Sequence, residues 1–397
     1  MFWYNQKILK HCKKKQFKIK FALSDSMRVV VIGPIVPFRG GIAHSNTTLC
    51  KNLAKNNELL AISFKRLFPR ILYPGRFQKE IGEAPKEFKT EFIIDSINPL
   101  NWSKVVKRIN EFGADVVVFQ WWTTFLAPCY WFIARRLKKK CKISVICHNV
   151  LPHEKSSMHL MLTKIFFGQV DNFITLSKAE ENTLKAVMPN ARIKTIVEPT
   201  YEEIIGAKRL QKSVARKKLG IKHKKVLLFF GFVRPYKGLR YLLEAMPIFL
   251  KKHDCLVIIA GEFWEPKEKY IEIIERFGIK KNVLIVDRYI PNEDVALYFS
   301  SADAIVLPYV SSTESGIIQL AYGYNLPIIT TDAGGNTDYV DDKKTGLIVE
   351  PCNSKALANA INYFYDKRLE AKFRKAMKEK RKIFEWNKEK EKAVLGM

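Results

Sequence analysis

Short apolar runs rich in valine, isoleucine and leucine recur along the chain, alternating with longer stretches in which apolar positions return every three or four residues. The first series starts at positions 28 (RVVVIG), 59 (LLAISF), 115 (DVVVFQ), 143 (ISVICHN), 172 (NFITLS) and 192 (RIKTIV). The second starts at 225 (KVLLFFG), 256 (LVIIAG), 283 (VLIVD), 304 (AIVLPY), 327 (PIITTD) and 346 (GLIVE). Fully apolar strands separated by helices pack in parallel sheets covered on both faces. Six strands followed by six more predict an α/β protein of two doubly wound, Rossmann-like domains. The polar, strand-free stretch near 196–220 separates them. Such a pair leaves a cleft at the carboxyl ends of its strands, where ligands bind in open α/β sheets. The chemistry is therefore expected in the residues just after each strand.

One apolar stretch invites a different reading. Val116–Ala134 carries no charge and approaches the length of a membrane span. Gln120 and Pro128 interrupt it, however, and VVVFQ followed by Thr123, Thr124 and Pro128 reads as strand, loop and helix. At 397 residues, 47% hydrophobic and 27% charged, the chain has material for two cores and is not a mainly disordered protein.

Its charge is unusual: 68 Lys and Arg against 39 Asp and Glu give +29, which favours polyanionic partners such as phosphates or anionic lipid. Residues 1–200 hold 33 basic and 14 acidic side chains, and residues 201–397 hold 35 and 25, so the excess lies in the first half. Part of it is Met1–Met27, where seven lysines face one acid, Asp25. With no long apolar run or cleavage site, this stretch reads in three ways. It is a solvated tail, a membrane-surface arm using Phe2, Trp3 and Tyr4, or sequence ahead of a start at Met27. The seven cysteines show no CxxC or metal-ligand spacing, which predicts a reduced, cytoplasmic compartment.

Several strand-end positions carry candidate chemistry. Gly40 and Gly41 open a helix whose free amides and positive dipole end suit an anion, with no side chain to block its approach. The segment is neither GxGxxG nor a P-loop, so nicotinamide cofactors and ATP are not indicated. His148 stands at a strand end, where it can exchange a proton with a reacting hydroxyl. His153 and Glu154 follow it, at a spacing that does not favour a metal site. Arg234 and Lys237 occupy a strand-to-helix loop and oppose the dipole of the helix behind them. A diphosphate there removes that conflict through charge-assisted hydrogen bonds. Glu314 precedes Ser315 and Gly316 at another helix start, placing a carboxylate for sugar hydroxyls beside amides for phosphate. Each also has a plainer reading: a turn, a satisfied buried histidine, a solvated loop, a helix cap.

Taken in order, RPYKG, AGE after a strand, IPNEDVALYFSSADAIVLPY, ESGIIQLAYG, LPIITTDAGG and GLIVEP resemble the C-terminal half of glycosyltransferase family 4. GGIAH and HNVLPHE agree in the amino half, and the resemblance covers about residues 27–390. It implies the GT-B fold, two Rossmann-like domains facing across a cleft, and transfer of a sugar from a nucleotide-diphosphate donor with retention. The implied domains are an N-terminal extension at 1–26, an acceptor-side domain at 27–198, a donor-binding domain at 199–368, and a helical segment at 369–397 that crosses back to the first domain.

By the same resemblance Arg234 and Lys237 would neutralise the departing diphosphate, Gly40 and Gly41 would close on it, and Arg288 and Tyr289 would lie by the base. His148 would sit beside the transferred sugar, and Glu314 matches the first acid of the family's paired-glutamate motif. The second glutamate is missing, with Gln319 or Leu320 near its place, and the arginine of many relatives lies nearer Phe232 than Arg234. No DxD occurs, so no metal and no cofactor beyond the nucleotide sugar is expected. The expected acceptor is a glycan or lipid-linked molecule, reached from an anionic membrane surface at the inner face of the membrane. Nucleic acid is not an expected partner, because no recognised nucleic-acid module is visible. A nucleotide-sugar epimerase of this fold and a non-catalytic nucleotide-sugar-binding relative remain open.

Overall fold

The computed structural model describes residues 26–69, 71, 73, 77–80, 82–152, 156–200, 209–312 and 315–397. The first sheet contains β1 (Arg28–Ile32), β2 (Glu58–Arg66), β3 (Lys89–Asp95), β4 (Val116–Trp121), β5 (Lys142–Cys147), β6 (Asn172–Thr175) and β7 (Ile193–Thr195). Their order is β3-β2-β1-β4-β5-β6-β7, with every neighbouring pair parallel. The second sheet orders β8 (Lys225–Phe230), β9 (Cys255–Ala260), β10 (Val283–Val286), β11 (Ala304–Leu307), β12 (Ile328–Thr331) and β13 (Gly346–Val349) as β10-β9-β8-β11-β12-β13, again parallel. All twelve expected strands form.

The first sheet has a seventh strand that the apolar pattern did not announce. β3 lies at the sheet edge and is mostly only half-buried, so Lys89, Glu91 and Asp95 are tolerated along it and no apolar run marks it.

In each sheet the chain reverses its winding between the first strand and the fourth in space, β1 beside β4 and β8 beside β11. These two switch points open crevices at the carboxyl ends of the strands.

The helices follow from local signals. Thus α1 (Gly41–Leu53) starts at a glycine, and α2 (Pro99–Phe112) has Asn98 as its cap, Pro99 in its first turn and the left-handed Gly113 at its end. The helix predicted after β4 is α3 (Ala127–Leu137), so the uncharged stretch is strand, short 3-10 turn and helix. No helix among the described residues is long and apolar enough to cross a membrane.

Helices α2, α3 and α4 (Ser157–Phe167) cover one face of the first sheet, burying Trp102, Tyr130, Ile133 and Phe166. The opposite face is covered by α1 and by α13 (Lys388–Leu395), whose Val394 and Leu395 join Leu49 and Leu53 in the core. Between them run α5 (Lys178–Val187), α6 (Lys212–Lys218), α7 (Leu239–Phe249), α8 (Glu268–Arg276), α9 (Asn292–Ser301), α10 (Gly316–Tyr324), α11 (Ser354–Asp366) and α12 (Glu370–Lys380).

The return of the chain is abrupt. Phe384 packs on Tyr322 and Tyr339 of the second domain, with ring centroids 4.6 and 5.8 Å away. Trp386, two residues on, already packs against the core of the first. Asn57 and Asn56 donate to the Glu391 carboxylate at 2.7 and 2.9 Å, and Asn172 Nδ2 donates to the Ala393 carbonyl at 2.8 Å. The six described cysteines are unpaired.

Candidate functional site

The two switch points face each other around one cavity of about 330 Å³, lined from both domains. On the first domain's side the loop after β1 ends at Gly40, whose φ of 106° is in the range that favours glycine. A Cβ there would come within 4.0 Å of Phe232 on the other domain, whereas a Cβ on Gly41 would meet no atom within 4 Å. Protein packing therefore does not explain the bare backbone at Gly41, which borders the cavity. The amides of Ala43 and His44 bond the Gly40 carbonyl, which leaves those of Gly41 and Ile42 at the open, positive end of α1.

Two histidines join this wall. His44 lies on the first turn of α1, and burial pushes its pKa down to about 4. His148 follows β5, held by its amide to the Trp121 carbonyl at 2.8 Å. Burial likewise pushes it down to about 4. Its Nε2 lies 2.7 Å from Gln120 Oε1, so with that oxygen as partner Nε2 carries the proton. Both rings are thus neutral near pH 7.

On the second domain's side β8 runs into Gly231, and a single 3-10 turn, Pro235–Lys237, precedes α7. The turn is fixed by Gly238: at φ 67°, a Cβ would lie 1.9 Å from the Pro308 carbonyl oxygen, so only glycine fits. This pins Lys237 beside the loop that follows β11. Its Nζ donates to Tyr309 Oη at 2.6 Å and lies 4.1 Å from that ring's centroid. Tyr309 Oη in turn lies 3.0 Å from Ser315 Oγ. Burial lowers the Lys237 pKa below the usual lysine range, and Arg234 nearby lowers it further. Arg234 is exposed, its guanidinium 5.3 and 5.4 Å from the Tyr236 and Trp264 rings. Neither cation pairs with a carboxylate among the described residues. A neighbouring anion would offset both effects on Lys237. The start of α10 at Ser315 and Gly316 lines the same cavity, and its first amides lack helix partners.

Aromatic rings close one end. Phe232 and Trp264 lie 4.3 Å apart at 30°, with Tyr289 6.0 Å from Phe232. Arg39, from the first domain, places its guanidinium 4.5 Å from the Tyr289 ring and 3.6 Å from Glu262.

The structure thus brings together Gly40, Gly41, His148, Arg234, Lys237, Tyr289, Ser315 and Gly316. The basic pair and the glycine pair share one cavity rather than facing away from each other. Arg288 is not on its wall: the side chain is half exposed and donates to Asp294 at 2.8 Å. Gln319 is fully buried in α10, and its neighbour Leu320 lines the cavity instead. Glu314, like His153 and Glu154, lies outside the described residues. Sequence reasoning passed over Arg39, His44, Glu198 and Trp264. His44 had a signal, since it follows Gly40 by one helical turn. Glu198 is buried in the passage between domains and carried none. Among the described residues no group of three or more His, Cys, Asp or Glu side chains is placed to hold a metal ion.

Residues 211–383 match the family model described as glycosyl transferases group 1. A putative glycosyltransferase, YtcC, of Bacillus subtilis is 31% identical over 156 residues, 37% of this chain and 38% of that protein. The curated relatives are matched over less than two thirds of their own length. Among solved structures, sucrose-phosphate synthase from Thermosynechococcus elongatus superposes with a TM-score of 0.72 at 17% identity, covering 93% of this chain and 97% of that one. Anabaena HepE in complex with UDP-glucose gives 0.71 at 17% identity, covering 90% and 96%. The fold is the two-domain GT-B fold.

Proposed function

We propose that this chain is a glycosyltransferase that moves a sugar from a nucleotide-diphosphate donor to a glycan or lipid-linked acceptor, with retention and without a metal ion. One observation carries the reading: Arg234 and Lys237, which have no carboxylate partner among the described residues, share a cavity with the open amino ends of α1 and α10. Breaking an anomeric C–O bond to a diphosphate builds negative charge on the leaving group. Cations and amides fixed in place before the reaction stabilise that charge selectively in the transition state.

The base would lie toward Phe232, Trp264 and Tyr289, and the sugar toward His148. His148, being neutral with its Nε2–H donating to Gln120, would accept one hydrogen bond from a sugar hydroxyl at Nδ1 without placing a charge beside the developing oxocarbenium. Retention follows if the acceptor attacks from the leaving-group face and the departing phosphate takes its proton. Closure of the domains would keep water from the sugar.

UDP-glucose is the first donor to try, because HepE is solved with it. Thermal shift with UDP-, GDP- and ADP-sugars identifies the donor, since a ligand that binds the folded chain raises its melting temperature by mass action. Product analysis with and without acceptor then separates transfer from epimerisation: an epimerised donor formed in the absence of acceptor would overturn the transfer reading. An unchanged rate in EDTA supports metal independence, and a rate that returns only with Mg²⁺ would sink that part.

A further inference from the structure

We infer that the outer surface of α3 and α4 is a docking face for an anionic lipid bilayer. On α4, Met158, Met161 and Ile165 recur at helical spacing and are 59%, 55% and 42% exposed, far more than side chains of their kind inside a domain. A shallow groove runs along this face, lined by Leu160, Met161, Lys164 and Ile165. The adjacent α3 turns Trp131 and Phe132 partly outward, and each ring carries a guanidinium: Arg135 at 5.4 Å and Arg136 at 3.5 Å. Lys138 Nζ ties the end of α3 to the carbonyl of Gly168 just past α4, at 2.7 Å, so the two outward surfaces form one patch.

The charge around this patch selects the partner. On the patch itself Arg135, Arg136, Lys138 and Lys164 are ion-paired to none of the described residues, and neither α3 nor α4 carries an acid. Aromatic rings under arginines beside exposed methionines suit the headgroup–acyl boundary, where the stems bury and the charges stay at the phosphates. A nucleic acid would gain nothing from the methionines and isoleucine, and a second copy of this chain is left as an outcome of the test. Both helices begin at the carboxyl ends of β4 and β5, the cleft end of the first sheet, so a bilayer here would bring a lipid-linked acceptor near His148. This inference rests on the proposed transfer only in that last step.

The test is flotation of the full chain with phosphatidylcholine vesicles and with vesicles containing phosphatidylglycerol. Recovery with the anionic vesicles should exceed the neutral control and fall as salt is raised. The variants Met158→Ser/Met161→Ser/Ile165→Ser and Arg135→Gln/Arg136→Gln/Lys164→Gln should each weaken it by about tenfold or more. Donor binding by thermal shift should stay unchanged in both, which shows that they fold. Vesicle binding that persists in both variants would move the contact elsewhere, to the basic residues before Met27 for example, and overturn the inference. So would the absence of vesicle binding together with a dimer that Met161→Ser dissociates, or a wild-type chain that binds neither vesicle. Donor hydrolysis in solution without any vesicle binding would leave the proposed function standing and this inference fallen.

Discussion

The second domain brings two cations to the cleft, Arg234 and Lys237, whereas the described lining of the first has no cation: it consists chiefly of the amides of Gly41 and Ile42 and the neutral histidines His44 and His148, with the buried Glu198 where the domains meet. Both walls come from the same strand–loop–helix arrangement at a switch point of a parallel sheet. Even Arg39, which reaches across from the first domain, is already matched to Glu262. The difference assigns the work. On the proposed function, a wall whose cations have no carboxylate partner among the described residues would bind a diphosphate whether or not the domains have closed. A wall of dipoles and uncharged rings adds little at a distance and acts only in contact, because dipolar attraction falls off within a turn of helix. The donor should therefore bind the second domain first, and the first domain should contribute to turnover.

The sharpest way to break this comparison is to remove the charge. Arg234→Ala/Lys237→Ala should lower transfer or donor hydrolysis by about a thousandfold, near 4 kcal/mol of transition-state stabilisation. Single-turnover rates at saturating donor would check it, and a loss below tenfold would refute the charged wall.

Next comes the neutrality of the two histidines on the first wall. Both histidines have folded pKa values near 4, below the usual 6.5, so the unfolded chain binds their protons first as pH falls. Stability is then fully present above pH 6.5 and is lost toward pH 4, by up to roughly 3 kcal/mol for each ring. Urea unfolding of the wild type and of His148→Gln at pH 7 and pH 4.5 reads this directly: the variant should lose part of the acid sensitivity. An unchanged slope would mean that His148 is charged in the fold.

A smaller effect separates contact from packing. Gly41→Ala adds a Cβ that meets nothing in the protein, so melting should stay within about a degree while donor affinity in the closed state falls about tenfold. Equal loss of both would mean that the glycine serves the fold. The smallest effect tests whether the last helix is part of the first wall's scaffold. Glu391→Ala removes two hydrogen bonds from Asn56 and Asn57, worth about 1 kcal/mol together, and should lower the melting temperature by a few degrees with little change in rate.

Much of this molecule could be read from its letters because buried parallel strands are apolar on both faces. The strands beginning at Arg28, Val116, Lys225 and Ala304 are nearly pure valine, leucine, isoleucine and phenylalanine, with helices between them. Where burial is partial the reading fails, as at β3, whose Glu91 is ion-paired to Arg108 at 2.8 Å instead of hidden. The cleft shows the same division. Gly40, Lys237 and Ser315 lie directly after strands or at helix starts, so topology alone delivers them to the cavity. Trp264 lines it from a loop pinned to Val233, and Arg39 packs on the Tyr289 ring from the other domain, and no local spacing encodes either placement. Arg288 sits at an expected strand end but turns to Asp294, a choice made by a neighbour six residues on.

The crossing at Phe384 and Trp386 has a consequence for how the chain is made. The core under β1, β4 and β5 needs Val394 and Leu395, which leave the ribosome only after the whole second domain has emerged. The half that is synthesised first is therefore completed last, and during translation its open sheet face is a surface for chaperones to shield.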